Sequence, residues 1–200
     1  MKNLKNGQKI IEILKKGGVG VLPTDTLYGL VGSALSEKAV GRIFEIKKRD
    51  TKKPLIVLIS SLEELKLFGI KIDRNMENIL EKIWPGKVSV IFPIKNKKWN
   101  YLSRGTDSLA VRFPKKKKLI ELLKKTGPLA APSANPQGQE PARNIAQAKA
   151  YFKQRIDFYV SGGSLKSAPS AIIAFQKGRV IIKREGDQRS LYKLRKLSKR

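Results

Sequence analysis

Ile46-Lys47-Lys48-Arg49-Asp50-Thr51-Lys52-Lys53-Pro54-Leu55-Ile56-Val57-Leu58-Ile59 is the stretch on which the reading of this chain turns. It begins at the end of an amphipathic helical pattern carrying Ala39, Val40, Ile43, Phe44 and Ile46, and it runs into an apolar segment, Pro54 to Ile59, that reads as a buried strand. Pro54 disfavours helix at the residue before it, so the helix is expected to end inside the basic run. Lys47 and Arg49 are two positions apart. On a continuous helix they diverge, whereas in extended chain they point the same way. An extended Lys47–Arg49 pair would form a two-pronged cationic grip at a helix-to-strand junction, the kind of place where open α/β sheets bind ligands. The competing reading is a solvated basic helix end favoured by the C-terminal dipole, and these residues alone favour it.

Outward from that stretch the pattern alternates between helix and strand. Ile10, Ile11, Ile13 and Leu14 form a helical stripe stopped by Gly17-Gly18. Val19 to Leu22 and Tyr28 to Gly32 read as strands on either side of the polar loop Thr24-Asp25-Thr26, and Ser36 is placed to cap the next helix. Ser61 with Glu64 predicts a capping box, Asp73 predicts a second helix start, and Trp84-Pro85-Gly86 closes that helix. Strands follow at 88–94 and 109–113, separated by a segment, 95–107, that reads as loop. A lysine-flanked helix ends at Gly127, 128–132 is extended, a helix is expected over about Ala142 to Gln154, and a strand over 158–160. Lys177-Gly178 predicts a hairpin between Ile172–Phe175 and Val180–Lys183. One mixed α/β domain over 1–186 with a basic tail, Asp187 to Arg200, that is either a basic helix or disordered, is the economical reading.

Composition narrows the chemistry. The 200 residues contain no cysteine and no histidine, which removes disulfides, thiolate sites, the commonest metal ligand and the commonest general base. No apolar run approaches the roughly 18 residues of a membrane span, and the N-terminus lacks the apolar core of a secretory signal, so a cytoplasmic protein without membrane contact is expected. The net charge is +27. A polyanionic partner such as RNA and lysine-rich drift, as in Lys115–Lys118, both explain it. In either case the field draws small anions, nucleotides included.

Two further polar pairs share the two-residue spacing: Thr24 with Thr26, and Ser133 with Asn135, each directly after a predicted strand. Singly they are turn chemistry. Together with Lys47 and Arg49 they suggest a ligand cleft at strand ends. Arg112 interrupts an apolar strand and either faces solvent or presents its planar fork to a carboxylate or phosphate. Ser170 and Arg184, flanking the hairpin, raise the same choice. Phosphate loops of the GxxxxGK[ST] or GxGxxG type are absent, and the sixteen carboxylates show no metal-ligand spacing.

The blocks Gly18-Val19-Gly20-Val21-Leu22-Pro23-Thr24-Asp25-Thr26-Leu27-Tyr28-Gly29-Leu30, Lys47-x-Arg49 with Pro54-Leu55-Ile56-Val57, Trp84-Pro85-Gly86, Val111-Arg112-Phe113-Pro114, Gly127 to Asn135, Pro169 to Ile173 and Lys183-Arg184-Glu185-Gly186 closely resemble the YrdC family, in its order, over about residues 8–186. That resemblance implies a YrdC-like twisted open mixed sheet flanked by helices with a basic concave face. It also implies a threonylcarbamoyl-AMP synthase, which condenses L-threonine, bicarbonate and ATP into threonylcarbamoyl-adenylate and pyrophosphate. The product serves a tRNA-modifying threonylcarbamoyl transferase complex acting on adenosine, and the fold has been linked to double-stranded RNA binding. By resemblance, Lys47 and Arg49 are the catalytic phosphate-binding pair. Lys53, Ser108, Ser133, Asn135, Pro141 and Arg184 complete the ATP contacts, and Thr26, Arg112, Ala131 and Ser170 hold threonine. Mg2+ is expected with ATP, without assigned protein ligands.

Departures from the family pattern are Asp50 for a usual proline, Leu58 where some members place a threonine-contacting histidine, Pro136-Gln137-Gly138 for Leu-Ser-Gly, and Ala171 for threonine. The chain ends before the second domain of longer members, so any lid is expected to come from this domain. The alternative from a different class is a non-catalytic RNA- or nucleotide-binding protein of the same fold. The charge favours it, and the Thr-Asp-Thr and Ser-Ala-Asn blocks are left unexplained by it.

Overall fold

The computed structural model describes residues 2–50 and 55–198. Among the described residues nine strands form one mixed sheet: β1 (Val19–Pro23), β2 (Tyr28–Ser33), β3 (Ile56–Leu58), β4 (Val88–Pro93), β5 (Ser108–Arg112), β6 (Leu129–Ala130), β7 (Phe158–Tyr159), β8 (Ala171–Gln176) and β9 (Arg179–Arg184). Their spatial order is β7-β1-β2-β6-β3-β5-β4-β8-β9. The β1–β7, β3–β5 and β4–β8 pairs are parallel and the others antiparallel. Among the described residues seven α-helices accompany them: α1 (Lys2–Lys15), α2 (Glu37–Lys47), α3 (Arg74–Ile83), α4 (Asn100–Ser103), α5 (Lys117–Thr126), α6 (Ile145–Phe152) and α7 (Gln188–Ser198).

Alternation along the strands divides the core in two. Val19, Val21, Tyr28, Leu30 and Val57 face a large cluster shared with α2, α3 and α6, while Leu22, Val31, Leu58 and Leu129 face a smaller one shared with α1 and α5. Gly20 allows close packing here, since a Cβ at this position would meet the Phe158 ring at 2.4 Å.

Local signals set most element ends. The Ser36 side chain accepts from Ala39 N at the start of α2, Asp73 from Met76 N at the start of α3, and Asn144 from Gln147 N at the start of α6. Lys177 and Gly178, both at positive φ, make the two-residue hairpin turn between β8 and β9.

Two expectations change. Ser61 does not cap its helix through its side chain: Leu62–Phe68 is a 3-10 helix, and Glu64 instead accepts from Ser60 N at 2.5 Å. Segment 95–107 is not irregular throughout. Asn96 accepts from Lys98 N, a 3-10 turn over Lys97–Trp99 leads into α4, and Trp99 is buried with its ring 4.9 Å from that of Phe68. One aromatic reaching the core organises a stretch whose polarity reads as loop. The C-terminal basic segment, for which the sequence allows helix or tail, takes the helix: α7 packs on α3 and β9 and buries Leu194 completely.

Candidate active site

The basic run does not carry its cations in extended chain. Helix α2 continues through Lys47, and Lys48 sits in the left-handed region at φ 50, ψ 40. Lys48 N donates to Glu45 O and Arg49 N to Phe44 O, each at 3.0 Å, which is the paired closure of a Schellman motif with lysine in place of the usual glycine. The left-handed residue, rather than a strand-like alternation, separates the three side chains: Lys47 is buried, Lys48 exposed and Arg49 half-buried.

Lys47 turns inward, 2% exposed. Its Nζ donates to Ser133 O and Asn135 O, both at 2.6 Å, and lies 3.3 Å from Asn135 Oδ1. Burial, reinforced by the charge of Arg49, lowers its pKa to about 7. The loop that it holds is closed on itself. Ser133 Oγ donates to Asn135 Oδ1 at 2.6 Å, and Asn135 Nδ2 donates to Pro136 O and Gln139 O. Gln137 ties the loop back to the helix end, its N donating to Lys47 O and its Oε1 accepting from Asp50 N. With both amide donors and its oxygen engaged, Asn135 shapes the loop, whereas Ser133 stays half-buried at its surface.

A second cluster sits at the end of β5. Arg112, 3% exposed, donates from Nη1 to Thr26 Oγ1 at 3.1 Å, and the same nitrogen lies 3.1 Å from Asp25 Oδ1. Its Nε is buried and has no hydrogen-bond partner. Burial lowers the Arg112 pKa and the Asp25 carboxylate opposes that shift. Thr24 behaves as turn chemistry: its hydroxyl donates to Leu27 O and accepts from Thr26 N. Two contacts fix the loop from outside, Lys115 N donating to Asp25 Oδ2 at 2.9 Å and Lys116 Nζ donating to Pro23 O and Thr24 O.

Sheet register links Arg112 to the hairpin. Leu129 pairs with Leu58 and Leu58 with Arg112. Val90 opposite Val111 sets Ser89 beside Arg112, and Ser89 pairs with Ile172, which pairs with Arg184. One row across six strands thus runs from Leu129 through Arg112 and Ser89 to Arg184, with a register shift between Ile172 and Ile173 where β8 meets β9. Ser170 closes it: its Oγ lies 3.0 Å from Ser89 Oγ, and its carbonyl accepts from Arg184 Nε and Nη2 at 3.2 and 2.9 Å.

The two clusters touch through β2. Leu30 N donates to Pro132 O, Ala134 N to Tyr28 O, and Gly29 bridges Ser133, so the Ala131–Asn135 segment lies beside the strand that leaves the Thr24–Thr26 loop. Ala131 N donates to Ile56 O, and next to Pro141, Ala142 N donates to Ala134 O. Ser108 stands at the opposite end of β5 from Arg112, about 13 Å away at ~3.3 Å per strand residue, with its Oγ 3.0 Å from Thr106 Oγ1. Lys53 lies outside the described residues. Leu58 is fully buried in the smaller core cluster. Asp25, Ser89 and Lys116 were not singled out by the sequence. The first is one polar residue in a polar loop, the second lies in an apolar strand, and the third belongs to a lysine run.

Among the described residues no group of three or more acidic, histidine or cysteine side chains could hold a metal ion, and no helix is long and apolar enough to cross a membrane.

A profile of the Sua5/YciO/YrdC family, described as "Telomere recombination", matches residues 12–186. A threonylcarbamoyl-AMP synthase of Pyrococcus abyssi is 33% identical over 177 residues, 86% of this chain and 52% of that protein, so the chain spans about half the length of that relative. One of Hahella chejuensis is 31% identical over 176 residues, 87% of this chain and 96% of its own length. The crystal structure of P. abyssi Sua5 complexed with L-threonine superposes with a TM-score of 0.84 at 30% identity, covering 90% of this chain and 54% of that one.

Proposed function

The chain belongs to the Sua5/YciO/YrdC family, and from that premise we propose that it is a threonylcarbamoyl-AMP synthase, condensing L-threonine, bicarbonate and ATP to threonylcarbamoyl-adenylate and pyrophosphate. The observation that carries this reading is the joining of two polar clusters through β2: the buried Arg112 guanidinium beside Thr26, with an unpartnered Nε, and the Lys47-held Ser133–Asn135 loop at the end of α2. A zwitterionic amino acid and a triphosphate are the ligands such a pair fits. Relatives bearing the synthase name, and the L-threonine in the P. abyssi structure, point the same way.

Arg112 and Thr26 bind the threonine carboxylate and fix the amine, with Ala131 and Ser170 lining the same pocket. The amine combines with bicarbonate, water leaves, and a carbamate oxygen attacks the α-phosphorus of ATP as pyrophosphate departs. The chain contains no histidine or cysteine, and the step needs none. It depends on alignment and on charge placed where negative charge accumulates. Arg49 reaches the triphosphate from the helix end. Lys47 contributes its charge from behind the Ser133–Asn135 loop and holds that loop in shape. Ser108, Pro141, Arg184 and Lys53 complete the ATP contacts. Mg2+ bound to the triphosphate would supply charge neutralisation. The same reading places the protein in the cytoplasm, feeding a tRNA-modifying transferase complex, with its basic concave face available to RNA.

Incubation with ATP, bicarbonate and Mg2+, with and without L-threonine, tests the activity. Threonine-dependent threonylcarbamoyl-adenylate supports it. No adenylate, together with salt-sensitive binding of duplex RNA, replaces it with a non-catalytic RNA-binding role.

A further inference from the structure

An arginine offers two hydrogen-bonding edges, one between its terminal nitrogens and one along Nε and the adjacent terminal nitrogen. In Arg112 the first edge is held at Nη1 alone, by one hydrogen bond to Thr26 and by an ion pair with Asp25, whose Oδ1 makes no hydrogen bond. Nη1 meets Thr26 Oγ1 and Asp25 Oδ1, each at 3.1 Å, with the two charged side chains only 4% and 5% exposed. Nε is buried and has no hydrogen-bond partner. Asp25 is itself anchored, because its Oδ2 accepts from Lys115 N and Lys116 ties down the backbone on either side of Thr24.

From this arrangement we infer that Asp25 is a positioning residue for substrate: it fixes the outer edge of Arg112 so that the Nε edge is the one presented to the carboxylate of threonine. The inference rests on the synthase reading and adds the residue and the geometry that make Arg112 selective. An unanchored guanidinium can swing to accept a carboxylate end-on or side-on. An anchored one accepts it in a single orientation and so fixes where the amino group lies. The buried Nε is the atom left for the ligand, since a buried donor without a partner is costly unless something occupies it when the protein works. Asp25 also offsets the cost of keeping Arg112 charged in a buried site. Its own carboxylate touches no reacting atom, so its effect runs entirely through Arg112.

The test compares binding of L-threonine with that of L-threonine amide, which lacks the carboxylate, in wild type and Asp25→Asn. Wild type prefers threonine strongly. In the folded Asn variant that preference falls by about tenfold or more, while ATP affinity stays within about twofold. A merely structural role would weaken both amino-acid ligands together and leave the ratio intact. A second measurement needs no substitution at Asp25. In 15N-labelled wild type, the Arg112 Nε–H signal, assigned by its loss in Arg112→Lys, shifts on addition of L-threonine and not on addition of the amide. An unchanged ratio in folded Asp25→Asn, or an unmoved Nε–H signal with threonine bound, overturns the inference and leaves the synthase reading standing. Failure of wild type to bind L-threonine at all overturns both.

Discussion

Lys47 and Arg112 are both cations at strand or helix ends, both nearly inaccessible, and they are stabilised in opposite ways. Lys47 faces neutral oxygens, two backbone carbonyls and an amide, and burial brings its pKa down to about 7. Arg112 faces a carboxylate and belongs to a side-chain type that does not lose its proton. On the proposed reading, charge at the amino-acid end of the site is therefore constant, whereas charge at the nucleotide end depends on pH and on what is bound. The difference suits the two ligands. A single carboxylate needs one fixed orientation, while a triphosphate brings enough negative charge to restore a proton to Lys47.

The largest expected effect comes from breaking the constant end. Arg112→Ala strands Asp25 without its partner and should cost about 3–5 kcal/mol of stability, measured by urea denaturation, along with all threonine-dependent pyrophosphate release. At the other end, Arg49→Ala should keep the fold and lower the rate by about 100-fold or more, as loss of a group stabilising transition-state charge does. Single-turnover rates at saturating ATP check this.

Lys47→Met sharpens the contrast through pH. Unfolded lysine binds its proton up to about 10.5, whereas folded Lys47 loses it near 7. Between those values the unfolded state carries more protons, so stability rises with pH and the penalty of a buried charge, present in full below about 7, is relieved upward. Wild type should therefore gain stability relative to Lys47→Met between pH 7 and 9, by at most about 1.4 kcal/mol per pH unit. ATP reverses the shift, so near pH 8 its binding should take up a proton in wild type and not in the variant, read as a buffer-dependent heat in calorimetry. The smallest effect belongs to Lys48→Ala. Its exposed side chain leaves the basic run on the far side of the left-handed turn, and turnover should stay within about twofold of wild type.

Those same residues show what sequence can and cannot reveal. Signals that act within a few positions were legible: the caps at Ser36 and Asp73, the Lys177-Gly178 turn, and the end of α2 before Pro54, whereas the helix expected from about Ala142 starts at Ile145 behind its Asn144 cap. The strand-end placement of Thr26, Ser133 and Asn135 was legible too, because alternation and strand ends are local, whereas Arg112 reads as interrupting a strand that it in fact ends. The extended Lys47–Arg49 grip was not what formed, since the helix takes Lys47 and a left-handed lysine does the rest. The partners that give each cation its character lie far away in the chain. Lys47 finds its acceptors 86 and 88 positions on, and Lys115 N reaches Asp25 across 90. Such pairings follow from sheet order β2-β6-β3-β5, which no local pattern encodes. Trp99 is a similar case, a core anchor in a stretch whose other residues are almost all polar.

The central claim is that the site has two separable ends, one for a carboxylate and one for a triphosphate. Calorimetric titration of folded Arg49→Ala and Arg112→Lys, each with L-threonine and with ATP, tests it most directly. The account predicts a crossed pattern, with Arg49→Ala weakened toward ATP alone and Arg112→Lys toward threonine alone. Equal loss of both ligands in either protein, or no loss in both, would contradict it.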